Sequence, residues 1–277
     1  MNDCSNDTSL SILNNLAQKD NRIKVINNDK NHGLLYSRAM GILNSSGDYL
    51  MDLDPDDIIN DNESLEYLYN QSQLTKVDII QFSVFFKDIN WTYKCTYNKK
   101  ILRQPKLFKS IFSKSFKLTD SLIVNKLIKK EIFLKAYEDF SIAIYNGNWN
   151  YFEDNIWNIL VNKYAKSKLC IDKLVYIYNN NNDSLTKNRY TEIEFRNLLY
   201  GYEIYKHIFQ KESEKKYLIA ESYVLFNKLK SDLKFLLLIN DNSIKTHIKS
   251  IFKFVLNNYA FSLKTRNDIN NFLKSIH

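Results

Sequence analysis

The spacing of apolar residues alternates along the N-terminal part of the chain. Leu10, Leu13 and Leu16 recur at helical spacing, and a second helical pattern covers residues 34–43. Residues 22–26 (RIKVI) and residues 49–53 instead form short apolar runs that are typical of strands. Helix, strand, helix and strand in succession predict an α/β domain with flanking helices on a Rossmann-like, mostly parallel sheet.

The same two patterns continue through the middle of the chain. Residues 61–74 have helical spacing, and residues 77–86 form an apolar run that is continuous enough for a buried strand. Residues 169–178 predict a further strand. We therefore expect one α/β domain over residues 1–187.

Beyond residue 187 the pattern becomes almost wholly helical. Residues 192–230 and 243–276 place Leu, Ile, Phe and Tyr at helical spacing with Lys between them. We expect several antiparallel helices in an appendage over residues 188–277, with the apolar stripes packed as its core. The alternative is a basic amphipathic face in peripheral contact with a membrane or with a partner.

Composition limits the class of protein. The 277 residues, 44% hydrophobic and 14% aromatic, can bury a sizeable core, and only 5 Gly and 2 Pro argue against a turn-dense all-β protein. The net charge of +8 would suit an anionic partner. Because the Lys residues are scattered and no recognition motif accompanies them, we expect no nucleic-acid partner.

Cysteine usage and the chain's apolar runs bear on localisation. Cys4, Cys95 and Cys170 are widely spaced and odd in number, which argues against a disulfide framework or a zinc site and favours a reducing compartment. Met1 is followed by polar and acidic residues, which do not form a signal peptide. Residues 235–239, the longest apolar run near the C-terminus, are far shorter than the ~20 residues of a transmembrane helix. We therefore expect a cytoplasmic protein with no transmembrane segment.

Carboxylates end the segment at residues 47–57, GDYLMDLDPDD. Its apolar run stops at Asp52, Asp54, Asp56 and Asp57, and ligands of open α/β sheets bind beyond the carboxyl ends of the strands. In an extended backbone, Asp54 and Asp56 would point to the same side. Two neighbouring carboxylates repel unless a cation lies between them, and hard oxygen ligands suit Mg²⁺ or Mn²⁺. Phosphate oxygens readily fill the open positions of such an ion, so the segment predicts a diphosphate site.

Two other interpretations fit the same acids. Pro55, Asp56 and Asp57 could begin the next helix, which is compatible with a metal site. The segment from Asp52 to Glu63 also matches several ligand positions of a calcium-binding EF-hand loop. Against the EF-hand, Asp57 occupies the position that needs Gly, and the preceding residues predict a strand instead of a helix.

Four motifs, in the right order and with the right gaps, resemble the donor half of a family 2 glycosyltransferase with the GT-A fold. They are NDCSNDTS, RIKVI, NHGLLYSRAMGI and SSGDYLMDLDPDD. The resemblance covers residues 2–187 and says nothing of the helical tail. Relatives have a strand, a helix and a second strand before the first motif, whereas Met1 stands here where that second strand would end. This sequence therefore lacks the first strand, the helix and most of the second strand of this fold. Either the true start lies upstream of Met1, or the chain is a shortened one that has repacked.

The resemblance implies roles for individual residues. The donor-binding residues would be Asp3, Asn31, Gly33, Arg38 and Asp54. Of these, Asp3 would contact the nucleotide base, while Asn31, Gly33 and Arg38 would shape the nucleotide pocket. Asp54 would join Asp56 in holding Mn²⁺ or Mg²⁺ against the diphosphate of a sugar nucleotide.

Glu153 and Asp154 precede a helical run and have two interpretations. They fit a charged first turn, which the helix dipole stabilises. By the resemblance they are the acidic motif that supplies the general base. An inverting transfer needs a carboxylate that removes the acceptor hydroxyl's proton during attack, and we assign that role to Asp154, with Glu153 orienting the site.

The expected function is that of a metal-dependent inverting glycosyltransferase. It would move a sugar from a nucleotide sugar, most simply a UDP-sugar, to a hydroxyl of a glycan, protein or lipid, with Mn²⁺ or Mg²⁺ as the cofactor. One alternative is a non-catalytic GT-A-like binding or scaffold module with an incomplete donor pocket, and calcium binding at the EF-hand-like segment is the third. The sequence does not specify the sugar, the acceptor or the oligomeric state.

Overall fold

The computed structural model describes residues 1–87, 91–93, 101–110, 122–145, 153–179, 242–258 and 263–276. The chain divides into two compact units, Met1–Lys187 and Asn188–His277.

The first unit is a sheet of seven strands with helices packed on it. The strands are β1 (Tyr49–Met51), β2 (Ile58–Ile59), β3 (Ile79–Phe86), β4 (Trp91–Tyr93), β5 (Ile101–Arg103), β6 (Lys126–Lys129) and β7 (Ser167–Tyr178). The helices are α1 (Ser9–Lys19), α2 (Leu34–Asn44), α3 (Ser64–Thr75), α4 (Lys106–Ser110), α5 (Lys130–Tyr145) and α6 (Glu153–Tyr164).

The sheet is mixed. Its main order is β1-β6-β3-β7-β2, with β4 added to β3 and β5 added to β7. The strands β3 and β7 pair in parallel, and β6 runs antiparallel between β1 and β3. The α/β class is confirmed, but the expectation of a mostly parallel sheet is corrected, because β6 separates β1 from β3 and the edge strands reverse direction.

The strand β3 is the centre of the core. Ile79, Ile80, Phe82 and Val84 are all fully buried, as a strand covered on both faces requires. On one side α5 packs against α2 and α6, and the Phe133 and Trp157 rings of the α5–α6 interface meet edge to face at 5.6 Å. The strands predicted at residues 77–86 and 169–178 are therefore confirmed.

The strand predicted at residues 22–26 is not formed. This part of the chain makes one isolated parallel bridge, between Asn27 and Asn2, in which Asn2 N donates to Ile26 O and Asn28 N donates to Asn2 O. A strand needs several successive pairings with a neighbour, and among the described residues only Asn2 offers one here.

The second unit is helical where it is described. Helix α7 (Asn242–Asn258) packs against α8 (Leu263–Ser275), with Phe252 and Phe272 in edge contact at 5.9 Å. The prediction of helices at residues 243–276 is confirmed, and the segment 192–230 lies outside the described residues. Within the described parts of the chain, no helix has the length and apolar character that crossing a bilayer requires.

Asp78 joins three strands at the edge of the sheet where β3 and β7 begin. Its carboxylate accepts hydrogen bonds from Lys129 Nζ at 2.8 Å and from the backbone N–H groups of Lys166 and Ser167 at 2.7 and 3.2 Å. Burial raises the pKa of Asp78, but these donors outweigh it and lower the pKa below the ordinary 3.8. The charged form is therefore part of the stable fold.

We expect Asp78→Asn to lower the free energy of unfolding at pH 7 by about 2 kcal/mol, because it removes a charged acceptor from buried donors. Since the pKa is lowered on folding, this contribution is present above pH 3.8 and is lost as the pH falls below that value. Urea denaturation at several pH values measures it. Asp172→Asn, an exposed carboxylate on β7, is the control and should leave stability unchanged.

Candidate active site

One buried arginine gathers four carboxylates. Arg38 on α2 is only 5% exposed in its side chain. The carboxylates approach it from two other parts of the fold, at distances of 3.2 Å for Nε–Asp52 Oδ2, 3.0 Å for Nη2–Asp54 Oδ1, 2.9 Å for Nη1–Glu153 Oε1 and 2.8 Å for Nη1–Asp154 Oδ1. We call these five residues the Arg38 cluster.

Three elements bring the cluster together. Leu35, Ala39 and Ile42 are buried and seat α2 against the core, which takes Arg38 inside with them. Asp52 and Asp54 follow the end of β1, and Glu153 and Asp154 begin α6. The contact between Arg38 and Glu153 spans 115 residues of sequence. Sequence-predicted residues from the donor side and from the acidic motif therefore meet at one guanidinium.

Two of the four acids form hydrogen bonds with Arg38, and the other two are only within ion-pair distance of it. Its N–H groups point at Asp54 and Glu153, with which they form hydrogen bonds. Asp52 and Asp154 lie within ion-pair distance, but among the described residues Asp52 Oδ2 and Asp154 Oδ1 accept no hydrogen bond with good geometry. Asp154 is also 28% exposed in its side chain, against 8% for Glu153. Asp154 is thus the more exposed of the two acids that begin α6.

Negative charge exceeds positive charge in this cluster. Burial raises the pKa of Asp54 to about 6; Arg38 opposes the shift, and the neighbouring Asp154 and Asp52 add to it. Burial likewise raises the pKa of Asp52 and of Glu153. For Arg38, burial acts to lower the pKa, but the surrounding carboxylates outweigh burial and raise it. A single guanidinium does not compensate four acids, so the cluster favours a further cation.

The acids after β1 form a tight turn. Asp57 N donates to Asp54 O at 3.1 Å, which closes a turn with Pro55 at its second position, where the fixed φ of proline is favoured. We call residues 54–57 the acidic turn. The expectation of an extended backbone between Asp54 and Asp56 is therefore wrong, since Pro55 reverses the chain between them.

Asp54 and Asp56 differ in their surroundings. Asp54 contacts Arg38, whereas Asp56 is exposed and its backbone carbonyl accepts a hydrogen bond from Asn179 Nδ2. In the described parts of the chain, no group of three His, Cys, Asp or Glu side chains is arranged to hold a metal ion. A divalent ion here would take few protein ligands, all of them hard carboxylate oxygens.

The two competing interpretations of the acidic segment do not hold. The next helix, α3, begins at Ser64, and Asp61 just before it accepts hydrogen bonds from Ser64 Oγ and Glu63 N. The strand β2 lies between the acidic turn and this helix, so Asp56 and Asp57 do not begin it. An EF-hand loop connects two helices, whereas the segment from Asp52 to Glu63 follows strand β1 and contains β2.

A second group surrounds Asp3. Its Oδ1 accepts hydrogen bonds from Asn28 Nδ2 at 2.8 Å and His32 N at 2.9 Å, and its Oδ2 accepts one from Gly33 N at 2.8 Å. Gly33 has φ 88°, a conformation that favours glycine, and it caps the start of α2.

The Asp3 group is also tied to α2. Asn28 Nδ2 reaches Ser37 Oγ, next to Arg38, at 3.1 Å, while Asn31 is exposed on the adjoining turn. Asp3, Asn31 and Gly33 thus lie together beside α2. Their contact with a nucleotide stays a prediction.

Sequence reasoning did not place Asp52 and Tyr176 in the site. Asp52 precedes Asp54 by two residues in the same acidic run, which was a usable signal. Tyr176 lies on β7, and its hydroxyl contacts both Asp54 and Asp57. The sequence alone indicates only an aromatic residue of a buried strand at this position. Only the sheet topology brings it to the acidic turn.

Comparison with known proteins relates the N-terminal part of this chain to a family. The model of the family described as glycosyl transferase family 2 matches residues 1–135. Residues 1–135 belong to glycosyl transferase family 2. The match contains the Asp3 group, Arg38 and the acidic turn, so the resemblance of the four sequence motifs is confirmed.

Curated relatives match parts of this chain. Glycosyltransferase GlyG of Streptococcus pneumoniae is 32% identical over 80 residues, which are 29% of this chain and 26% of GlyG. The uncharacterised glycosyltransferase EpsJ of Bacillus subtilis is 23% identical over 244 residues, 84% of this chain and 63% of EpsJ. The chain therefore covers less than two thirds of either relative.

The fold of the chain is similar to that of a solved structure. S. aureus TarS, residues 1–349, in complex with UDP-GlcNAc, superposes with a TM-score of 0.67 over 99% of this chain and 79% of that chain, at 16% identity. The expected GT-A-like α/β fold is therefore confirmed.

We expect Arg38→Met to destabilise the first unit by about 3 to 5 kcal/mol at pH 7.5, because it leaves the carboxylates of the cluster without their cation. At pH 5.5 the loss should shrink by about 1 kcal/mol, since the raised pKa of Asp54 lets that group take up a proton. Urea denaturation at both pH values measures the difference. Arg22→Met, at an exposed ion pair with Asp20, is the control and should change little. An equal loss at both pH values would contradict the charge argument.

Proposed function

We propose that this chain transfers a sugar from a UDP-sugar to an acceptor hydroxyl with inversion at the anomeric carbon, assisted by Mn²⁺ or Mg²⁺. The observation that carries the proposal is the Arg38 cluster, in which Asp54, from the donor side, and Asp154, from the acidic motif, contact one guanidinium. A transferase needs the leaving diphosphate and the general base close to one reacting carbon, and a shared cluster provides that proximity.

The donor assignment is supported by the Asp3 group and by the comparisons. Asp3 accepts the backbone N–H of Gly33 and so lies beside the glycine turn at the start of α2. Arg38 lies further along the same helix and contacts Asp54 of the acidic turn. TarS, whose fold this chain shares, has been crystallised with UDP-GlcNAc and with UDP. A UDP-sugar is the donor class that fits these observations.

Asp154 is our candidate for the general base. Of the two acids that begin α6 it is the more exposed, so an acceptor hydroxyl can reach it. In this role its carboxylate takes the hydroxyl proton while the oxygen attacks the anomeric carbon. Glu153 is buried and hydrogen-bonded to Arg38, which suits a role in orienting the guanidinium.

The predicted divalent ion would be held by Asp54 with Asp56. These residues supply hard oxygen ligands, and the negative charge of the Arg38 cluster favours a cation beside them. When bound, the ion would act as a Lewis acid that neutralises the departing diphosphate. The acceptor would be a glycan, protein or lipid hydroxyl, on which the described residues place no constraint.

Metal-dependent UDP binding is the first expected outcome. Calorimetric titration of the chain with UDP should give tighter binding with Mn²⁺ than without it, and Asp54→Asn and Asp56→Asn should remove this gain. Asp48→Asn is the matched control, because Asp48 is exposed at the opposite end of β1. UDP affinity that ignores Mn²⁺ in the unmodified chain would count against a metal-dependent transferase.

A base variant separates binding from chemistry. We expect Asp154→Asn to bind UDP with Mn²⁺ as the unmodified chain does, while UDP release from UDP-GlcNAc in the presence of acceptors falls by a factor of about 10² to 10⁴. Surviving transfer would show that another group is the base. UDP binding without any turnover in the unmodified chain would favour the non-catalytic module.

A further inference from the structure

The acidic turn is held from a distant strand by one buried hydroxyl. Tyr176 on β7 is fully buried, and its O–H donates to Asp57 Oδ2 at 2.6 Å. The same oxygen accepts a hydrogen bond from Asp54 N at 3.2 Å. One phenol therefore bridges the first and last residues of the turn, and both of its hydrogen-bonding functions are used.

A second contact holds the tip of the turn. Asn179, just beyond the end of β7, donates from its backbone N to Asp57 Oδ1 at 2.8 Å and from Nδ2 to Asp56 O at 2.9 Å. Asp57 is itself only 6% exposed, and both of its carboxylate oxygens are occupied. The carboxylate of Asp57 is therefore held by hydrogen bonds within the protein, whereas Asp56 is exposed.

The strand β2, which follows the acidic turn, pairs with the same end of β7. Ile58 and Ile59 of β2 pair antiparallel with Ile177 and Tyr176, and Asn60 N donates to Val175 O at 2.8 Å. This ladder is only two residues long, so on its own it supports the turn weakly. Hydrogen bonds from Tyr176 and Asn179 add the restraint that the short ladder lacks.

This restraint acts on Asp54, the residue of the acidic turn that contacts Arg38. The backbone N–H of Asp54 is bound by Tyr176, and its carboxylate lies 3.0 Å from Arg38 Nη2. Within the turn itself, one hydrogen bond between Asp57 N and Asp54 O closes the backbone. A displacement of about 1 Å at such a ligand is enough to impair binding and chemistry.

We propose that Tyr176 is a positioning residue for the donor site, holding Asp57 and Asp54 so that the acidic turn presents its ligands to the ion and the diphosphate. The inference deepens the proposed function and rests on it. Tyr176 touches no substrate in this role; it acts through Asp54 and Asp57.

A purely structural role for Tyr176 makes a different prediction. Its ring packs in the core, whereas only its hydroxyl reaches the turn. Tyr176→Phe keeps the ring and removes the hydroxyl. If the residue serves packing alone, this variant changes stability and leaves metal-dependent nucleotide binding as it was.

The experiment measures UDP affinity by calorimetry with and without Mn²⁺, alongside the thermal midpoint. We expect Tyr176→Phe to weaken the Mn²⁺-dependent affinity by about tenfold, with metal-free affinity within about twofold, because a hydrogen bond to a charged turn residue is lost. The matched control is Tyr49→Phe, which removes a hydroxyl that donates to Val77 O at 2.7 Å from β1, away from the turn. That control should lower the thermal midpoint and leave both affinities unchanged.

Asn179→Ala supplies a second variant that leaves the core intact. It removes the contact with Asp56 O and should weaken Mn²⁺-dependent UDP affinity by about threefold. Unchanged Mn²⁺-dependent affinity in Tyr176→Phe, or in Asn179→Ala where the former does not fold, overturns the positioning role alone. Absence of Mn²⁺-dependent UDP affinity in the unmodified chain overturns the proposed function and this inference together, so the two failures are distinguishable.

Discussion

The site depends on a buried guanidinium surrounded by more negative charge than it can balance. Arg38 is almost fully enclosed and lies within 3.2 Å of four carboxylates. A lone buried cation would be costly, and four closely spaced acids would repel one another without it, so the two sets stabilise each other. Because the acids outnumber Arg38, the balance is incomplete. Burial raises the pKa of Asp54, and the neighbouring Asp154 and Asp52 add to the shift.

The fold supports this cluster from two ends of the same sheet. At one edge Asp78 ties the beginnings of β3 and β7 to β6 through Lys129 and two backbone N–H groups. At the other edge Tyr176 and Asn179 at the end of β7 hold the acidic turn. The long strand β7 therefore runs from the core to the acidic turn of the candidate site. A rigid scaffold with reactive groups on the loops at one edge is a common arrangement in α/β proteins.

Local patterns predicted most of the elements but not how they pair. The buried runs that became β3 and β7 and the helical runs at residues 34–43 and 243–276 were correct, since their periodicity follows from burying one face or both. Residues 22–26 have the composition of a strand and yet form a single bridge, because pairing depends on a neighbour that sequence does not display. Likewise, an alternation of helices and strands suggested a parallel sheet, and β6 inserted between two strands made it mixed.

The sequence by itself determined the family and the chemical identity of the candidate site, because motif order and residue type are local properties of the chain. It pointed to Arg38, Asp54, Glu153 and Asp154 through that resemblance. Only the tertiary structure decided that these four meet, that Asp52 joins them, and that Pro55 turns the backbone between Asp54 and Asp56. It alone revealed Tyr176, since contacts across more than 100 residues arise from packing and sheet register, which no local pattern encodes.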